Sequence, residues 1–169
     1  LNLTNSEGFW SIDHMTVFVG DAILPAADAG PDQLVNEGDT VKFDGSASFD
    51  NVGVVKFIWT FDYGTGIVVL FGAAPSHTFK VPGIYIVTLN ITNAAGHWAT
   101  DTMTVTVIDI TFPVANAGLD QVVDEGDNVT FDGMGSSDNV GIVNYTWTFD
   151  GGKEIVTLFG AAPTHRFDI

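Results

Sequence analysis

Four Asn-x-Thr triplets, Asn2-Leu3-Thr4, Asn90-Ile91-Thr92, Asn128-Val129-Thr130 and Asn144-Tyr145-Thr146, are the most specific chemical signal in this 169-residue chain. Each matches the acceptor pattern for an N-linked glycan. Thr-rich strands also make such triplets by accident, so an exposed Asn is needed for the pattern to carry weight. A second candidate chemistry is hard-cation binding by Asp28, Asp50, Asn51, Asp101, Asn116, Asp138 and Asn139, which lie in or near turn sequences. Ca²⁺ takes about 6–8 oxygen ligands, so several of these side chains would have to converge. The competing reading is that Asp and Asn are good turn formers.

Catalysis has weaker support. His77 and His165 recur at the same phase of the sequence, which points to a structural hydrogen bond, whereas His14 and His97 have no counterparts. No Gly-x-Ser-x-Gly, His-Glu-x-x-His or phosphate-loop pattern occurs. With 21 Asp and Glu, pairs of carboxylates carry no information. Trp10 and Trp98, each close to a turn, would either stack on a sugar or cap one end of a core. The expectation is a non-enzymatic chain that requires no cofactor, with Ca²⁺ the one ion in question.

These residues must be positioned by strands. In "KFIWTFD", Phe57, Trp59 and Phe61 point one way and Lys56, Ile58 and Thr60 the other. Tyr85, Val87, Leu89 and Ile91 form a second inward row, Met103, Val105 and Val107 a third, and Val41 and Phe43 a fourth. Period two is the signature of half-buried antiparallel strands, and nothing sustains a helical period. The same parity turns all four sequon Asn residues toward solvent. Nineteen Gly supply the turns, an apolar fraction of 46% supplies the core, and the absence of Cys excludes disulfides. No run reaches the roughly 18 apolar residues of a membrane helix. A net charge of −16 repels phosphate backbones and anionic lipid, so nucleic acid and membrane insertion are excluded as partners of this segment.

The organisation is repetitive. Shifted by 88 positions, residues 1–81 superimpose on 89–169 without a gap, with 47 identities in 81 pairs. "LFGAAP" at 70–75 recurs at 158–163, and "WTFD" at 59–62 recurs at 147–150. Pro25 and Pro113 mark the boundaries. Residues 1–22 therefore read as the last strands of one unit, 23–110 as a complete unit, and 111–169 as the first part of another. On this reading the segment belongs to a longer array and starts in mid-unit. About seven short strands per unit, with Gly, Asn and Asp between them, indicate an immunoglobulin-like two-sheet sandwich.

"AGPDQLVNEGDTVKFDGSASFDNVGVVKFIWTFD", "HTFKVPGIYIVTLNITNAAG" and "TMTVTV" together resemble the PKD (polycystic-kidney-disease-type) repeats. The usual "WxFGDG" turn reads "WTFDYG" in one copy and "WTFDGG" in the other, followed by an insertion-like "IVVLFGAAPS". The resemblance implies an extracellular spacer or adhesion module of the kind found in archaeal surface-layer and sheath proteins and beside the catalytic domains of secreted hydrolases. It also implies that the turns holding Asp28, Asp50, Asn93 and Asp101 gather at one pole, where some such modules bind calcium. The expected role is structural: a cell-surface layer, sheath or filament whose partners are adjacent repeats or further copies of itself, with N-linked glycans. Its unfinished unit would be completed by strands from a neighbour. The alternative is a non-catalytic module that holds a secreted hydrolase on polysaccharide or protein.

Overall fold

The computed structural model describes residues 1–152 and 154–168. Among them there is no helix, as the period-two pattern requires. The first copy contributes a short hairpin, β1 (Asn2–Thr4) with β2 (Trp10–Ile12), paired Asn2 to Ile12 and Thr4 to Trp10. Residues 23–110 hold seven strands: β3 (Gln33–Asn36), β4 (Thr40–Lys42), β5 (Val54–Asp62), β6 (Ile67–Phe71), β7 (Ser76–Thr78), β8 (Gly83–Asn93) and β9 (Trp98–Ile108). One sheet has the order β3-β9-β8-β5-β6, with β3 parallel to β9, and the other pairs β4 with β7. The insertion-like stretch forms β6, an edge strand on β5. The last copy contributes β10 (Asn128–Thr130), β11 (Thr146–Asp150), β12 (Ile155–Phe159) and β13 (Thr164–Arg166), with β10 paired to β13 and β11 to β12.

The chain divides into two compact units, Leu1–Pro31 with Lys42–Pro75 and Ile86–Met103, and Asp32–Val41 with Ser76–Tyr85 and Thr104–Ile169. In the first, Phe43, Trp59, Phe61, Val87, Leu89, Ile91 and Met103 are buried as their parity demands. Each removes enough apolar surface to contribute about 1.5–3 kcal/mol. Trp59 stacks on Phe43 at 5.2 Å, and its Nε1–H donates to Gly72 O at 3.1 Å, so its polar atom is satisfied inside the core. Gly45 is glycine for lack of room, because a Cβ there would lie 3.1 Å from both Trp59 and Leu89.

In the second unit Val41, Phe79, Tyr85, Val105, Val107 and Val129 are buried. The 88-residue echo persists in its hydrogen bonds: Trp147 Nε1–H donates to Gly160 O at 3.0 Å. Phe131, Trp147 and Phe149 cluster as Phe43, Trp59 and Phe61 do, but stay half-buried. Beside them lie two open cavities of about 290 and 420 Å³; Trp147 lines both, with Tyr145 in the first and Phe131, Phe149 and Phe167 in the second.

Candidate functional site

A densely bonded polar cluster is built around Asn93, the last residue of β8, which is 1% exposed. Its Oδ1 accepts the N–H groups of Ala95 (3.0 Å) and His97 (2.8 Å), which fixes the turn into β9. Its Nδ2 donates to Asp21 Oδ2 at 2.8 Å and Asp50 Oδ2 at 3.2 Å. One amide thus bridges two carboxylates. Asp50 is buried, and its Oδ1 accepts Val52 N–H at 2.9 Å. Asp21 comes from the linker before the unit, and its Oδ1 accepts Ile23 N–H (3.0 Å) and Asn51 Nδ2–H (3.2 Å). His97 Nδ1 stands 3.5 Å from Asp21 Oδ2 and 3.2 Å from Ile23 O. The Ile23 N–H is the main reason Asp21 titrates below the ordinary 3.8; burial opposes it, and Asn51, Asn93 and the His97 charge reinforce it.

A related knot ties the following linker. Glu37 accepts from Ile110 N–H (3.3 Å), from the Thr111 hydroxyl and from Asn139 Nδ2–H (2.8 Å). Asn51 and Asn139, 88 residues apart, therefore each donate to a carboxylate. Both linkers also carry the same Asx bond, Ile23 N–H to Asp21 Oδ1 and Thr111 N–H to Asp109 Oδ1, each 3.0 Å.

Several of the oxygens considered for Ca²⁺ accept N–H donors, while Asp138 Oδ1 is buried without a hydrogen-bond partner among the described residues. Asp28 Oδ1 accepts Gly30 N–H, Asp101 Oδ2 accepts Ala29 N–H, and Asn116 Oδ1 accepts Gly118 N–H, at 2.8, 2.8 and 2.9 Å. Asp138 Oδ2 accepts Val140 and Gly141 N–H, both at 3.0 Å. The structure gathers Asp50 with Asn93 and adds Asp21; Asp28 and Asp101 instead bind the backbone at 29–30. Among the described residues no group of three or more His, Asp or Glu is arranged to hold a metal ion. Of the sequon residues, Asn2, Asn128 and Asn144 are exposed and Asn90 is half-exposed on the outer face of β8. Trp10 and Trp98 cap nothing: they are 68% and 63% exposed. His77 packs edge-on against Phe79 at 4.9 Å, and burial lowers its pKa from 6.5. His165 sits between Phe149 and Phe167 at 5.0 and 4.9 Å.

The PKD domain family matches residues 23–107 and again 111–169. This chain belongs to the PKD domain family. It is 34% identical over 160 residues to the dyslexia-associated protein KIAA0319 homolog of Mus musculus, which covers 89% of this chain and 15% of that protein. It is also 34% identical over 134 residues to KIAA0319 of Homo sapiens, covering 75% of this chain and 12% of the relative. The chain thus spans about a seventh of the length of these curated relatives. Among solved structures, the PKD1 domain of Vibrio anguillarum Epp is 30% identical, with a TM-score of 0.42, over 52% of this chain and 96% of that one. The PKD1 domain of the Vibrio cholerae metalloprotease PrtV is 29% identical, with a TM-score of 0.40, over 50% and 98%.

Within this PKD chain the sequence reading missed Asp21 and His97 as members of this cluster: His97 lies outside the repeated pattern, and Asp21, though repeated, is far in sequence from its partner. Asp21 is 72 residues from Asn93, and the counterpart of His97 is Phe9. The one available signal was Asp21 itself, repeated as Asp109 in front of each Pro-marked boundary.

Proposed function

We infer that this PKD chain is a non-catalytic, structural segment of an extracellular protein, built to hold successive immunoglobulin-like units in a fixed array such as a surface layer, sheath or filament. The observation that carries this reading is the repeated tying of the linkers. A carboxylate, Asp21 or Glu37, takes a hydrogen bond from the Asn of the following loop, Asn51 or Asn139. Each linker is further braced by its own Asx bond, Ile23 on Asp21 or Thr111 on Asp109. A flexible tether would need none of these bonds. The acidic surface, with 21 Asp and Glu against 5 Lys and Arg, suits a solvated exterior layer.

Neighbouring copies join by strand addition in this reading. Residues 1–19 match 89–107, the segment running from mid-β8 through β9, at 11 of 19 positions. They carry the same apolar row, Leu1, Leu3, Met15 and Val17, as the strands that cover Trp59 in residues 23–110. Sedimentation of the 169-residue polypeptide tests the joining: head-to-tail oligomers that disappear when residues 1–22 are deleted support it, and a monomer at every concentration removes it. Surface labelling of intact source cells with an antibody to residues 23–107 tests the location, and signal only after lysis would end the extracellular reading. The exposed Trp98 favours one alternative, a polysaccharide-binding accessory module. That reading gains if retention on insoluble polysaccharide is lost in Trp98→Ala.

A further inference from the structure

The outer face of the five-stranded sheet carries apolar side chains that no element covers. Across β8, β5 and β6 the register places Asn90 opposite Ile58, and Ile58 opposite Phe71. The next row on the same face is Thr88, Thr60 and Val69. Phe71 is 69% exposed and Val69 46%, and Ile67 and Ile86 on the same outer parity are 64% and 67% exposed. A contiguous exposed apolar patch calls for a covering group.

The strand geometry does not require these residues. At the matching positions of β11 and β12, where the pairing is the same, Ile58 and Val69 are replaced by Thr146 and Thr157. Phe71 and Ile67 are kept there as the equally exposed Phe159 and Ile155, so what distinguishes the complete unit is the apolar pair Ile58 and Val69 that joins Phe71 into one surface beside Asn90. The head of the first row is Asn90 of the sequon Asn90-Ile91-Thr92, with both Asn90 and Thr92 turned outward while Leu89 and Ile91 are buried. We propose that Asn90 carries an N-linked glycan whose first sugars lie across Ile58 and Phe71, the apolar C–H face of the sugar packing on the Phe71 ring.

Reach supports this assignment. Directly opposed residues have Cβ atoms about 5 Å apart, and strands repeat at about 4.8 Å. Ile58 is then the immediate neighbour of the attachment point and Phe71 the next one out, under the first and second rings. Such a ring supplies C–H groups to the negative face of an aromatic side chain. The other sequons lack this apolar row: Asn144-Tyr145-Thr146 has the exposed Phe159 opposite Thr146 but Thr in place of Ile58. Asn128 is paired with Arg166, Asn144 lines the rim of an open cavity, and Asn2 stands on a two-stranded hairpin opposite Ile12 alone.

The proposal rests on the extracellular reading, and secretion from a heterologous yeast or insect-cell host separates the two. Peptide mapping of the secreted chain is expected to find hexosamine on Asn90, absent in Thr92→Ala. Enzymatic trimming of the glycan is expected to lower the melting temperature, and the loss should be at most half as large in the double variant Ile58→Thr, Phe71→Thr, which copies Thr146 and removes the exposed ring. A bare Asn90 in secreted chain that carries sugar on Asn128 overturns the site and leaves the extracellular reading standing. Equal losses in the two backgrounds overturn the shelf. Concentration-dependent dimers of the glycosylated chain that vanish in the double variant would assign the face to a second copy instead.

Discussion

Asn93 and Asn5 offer one side chain in two solvents. They stand 88 residues apart and hold the same turn: Asn5 Oδ1 accepts Glu7 and Phe9 N–H at 3.1 and 2.8 Å, as Asn93 Oδ1 accepts Ala95 and His97 N–H at 3.0 and 2.8 Å. Asn5 is exposed, whereas Asn93 is 1% exposed. Replacing Asn93 with Ala leaves two part-buried backbone hydrogen bonds, from Ala95 and His97 N–H, without their acceptor, at about 1 kcal/mol each. The expected loss is about 2 kcal/mol, which is about 30-fold in the unfolding constant and about 8–16 °C in Tm for a unit of this size. The freed carboxylates of Asp21 and Asp50 push in the same direction. Asn5→Ala should change stability by less than about 0.5 kcal/mol, because water takes over its bonds. Urea unfolding followed by the emission of the buried Trp59 measures both, with an unchanged m-value expected. Equal shifts for the two variants, or a loss below about 0.5 kcal/mol for Asn93→Ala, would falsify the idea that the buried amide organises this pole.

Gly45→Ala should destabilise by about 1–3 kcal/mol, since Leu89 and Trp59, 3.1 Å from the new methyl, are fully buried and the indole is pinned to Gly72 O. Gly133→Ala meets Trp147 and Tyr145 at 3.1 Å and the Ala161 carbonyl at 3.3 Å, but both rings are half-buried, so a thermal melt should show the smaller shift there. His77, whose pKa burial depresses, stays neutral when folded and takes up a proton more readily when unfolded. Its contribution is intact above about 6.5 and is lost as pH falls below that value toward the folded pKa. Melts between pH 7.5 and 5 should show this slope, and His77→Phe should flatten it; an unchanged slope refutes the assignment. Asp21, with its lowered pKa, contributes stability above 3.8 that disappears as pH falls through its folded value. Asp21→Asn cannot titrate, so the variant should be less stable above 3.8 and lose less stability on acidification, giving a flatter acid limb; an acid limb as steep as that of the parent counts against a role for this carboxylate.

What could be seen in the sequence was whatever obeys a short period. Alternation placed Trp59, Leu89, Ile91 and Val105 inside, and each is 0% exposed. The same parity put Asn90 and Asn128 on outer faces, and the gap-free shift by 88 anticipated hydrogen bonds such as Trp59 to Gly72 and Trp147 to Gly160. Local patterns were less informative about end effects. Trp98 follows a turn and has the size to close a core, yet its parity in β9 sets it opposite to Met103 and Val105, and it stands in solvent. Parity alone already set Trp98 on the outer face; ring size and nearness to a turn pointed the other way and were the poorer guide.

The polar pole was hidden for a different reason. A repeat search amplifies residues that recur with the fold, and a joint is made by residues that belong to no single unit. Asp21 is bonded to Asn51 and Asn93, 30 and 72 residues further on, and its third contact, His97, replaces a Phe in the preceding copy. At the next joint the carboxylate that meets Asn139 comes from Glu37, 102 residues earlier, rather than from the linker. The recipient differs while the donor Asn is kept. The joint residues themselves are kept, since Asp21, Glu37, Asp50 and Asn51 recur as Asp109, Glu125, Asp138 and Asn139. What differs is the pairing: the same Asn meets a carboxylate 30 residues before it at one joint and 102 residues before it at the next, and no spacing in the sequence states which.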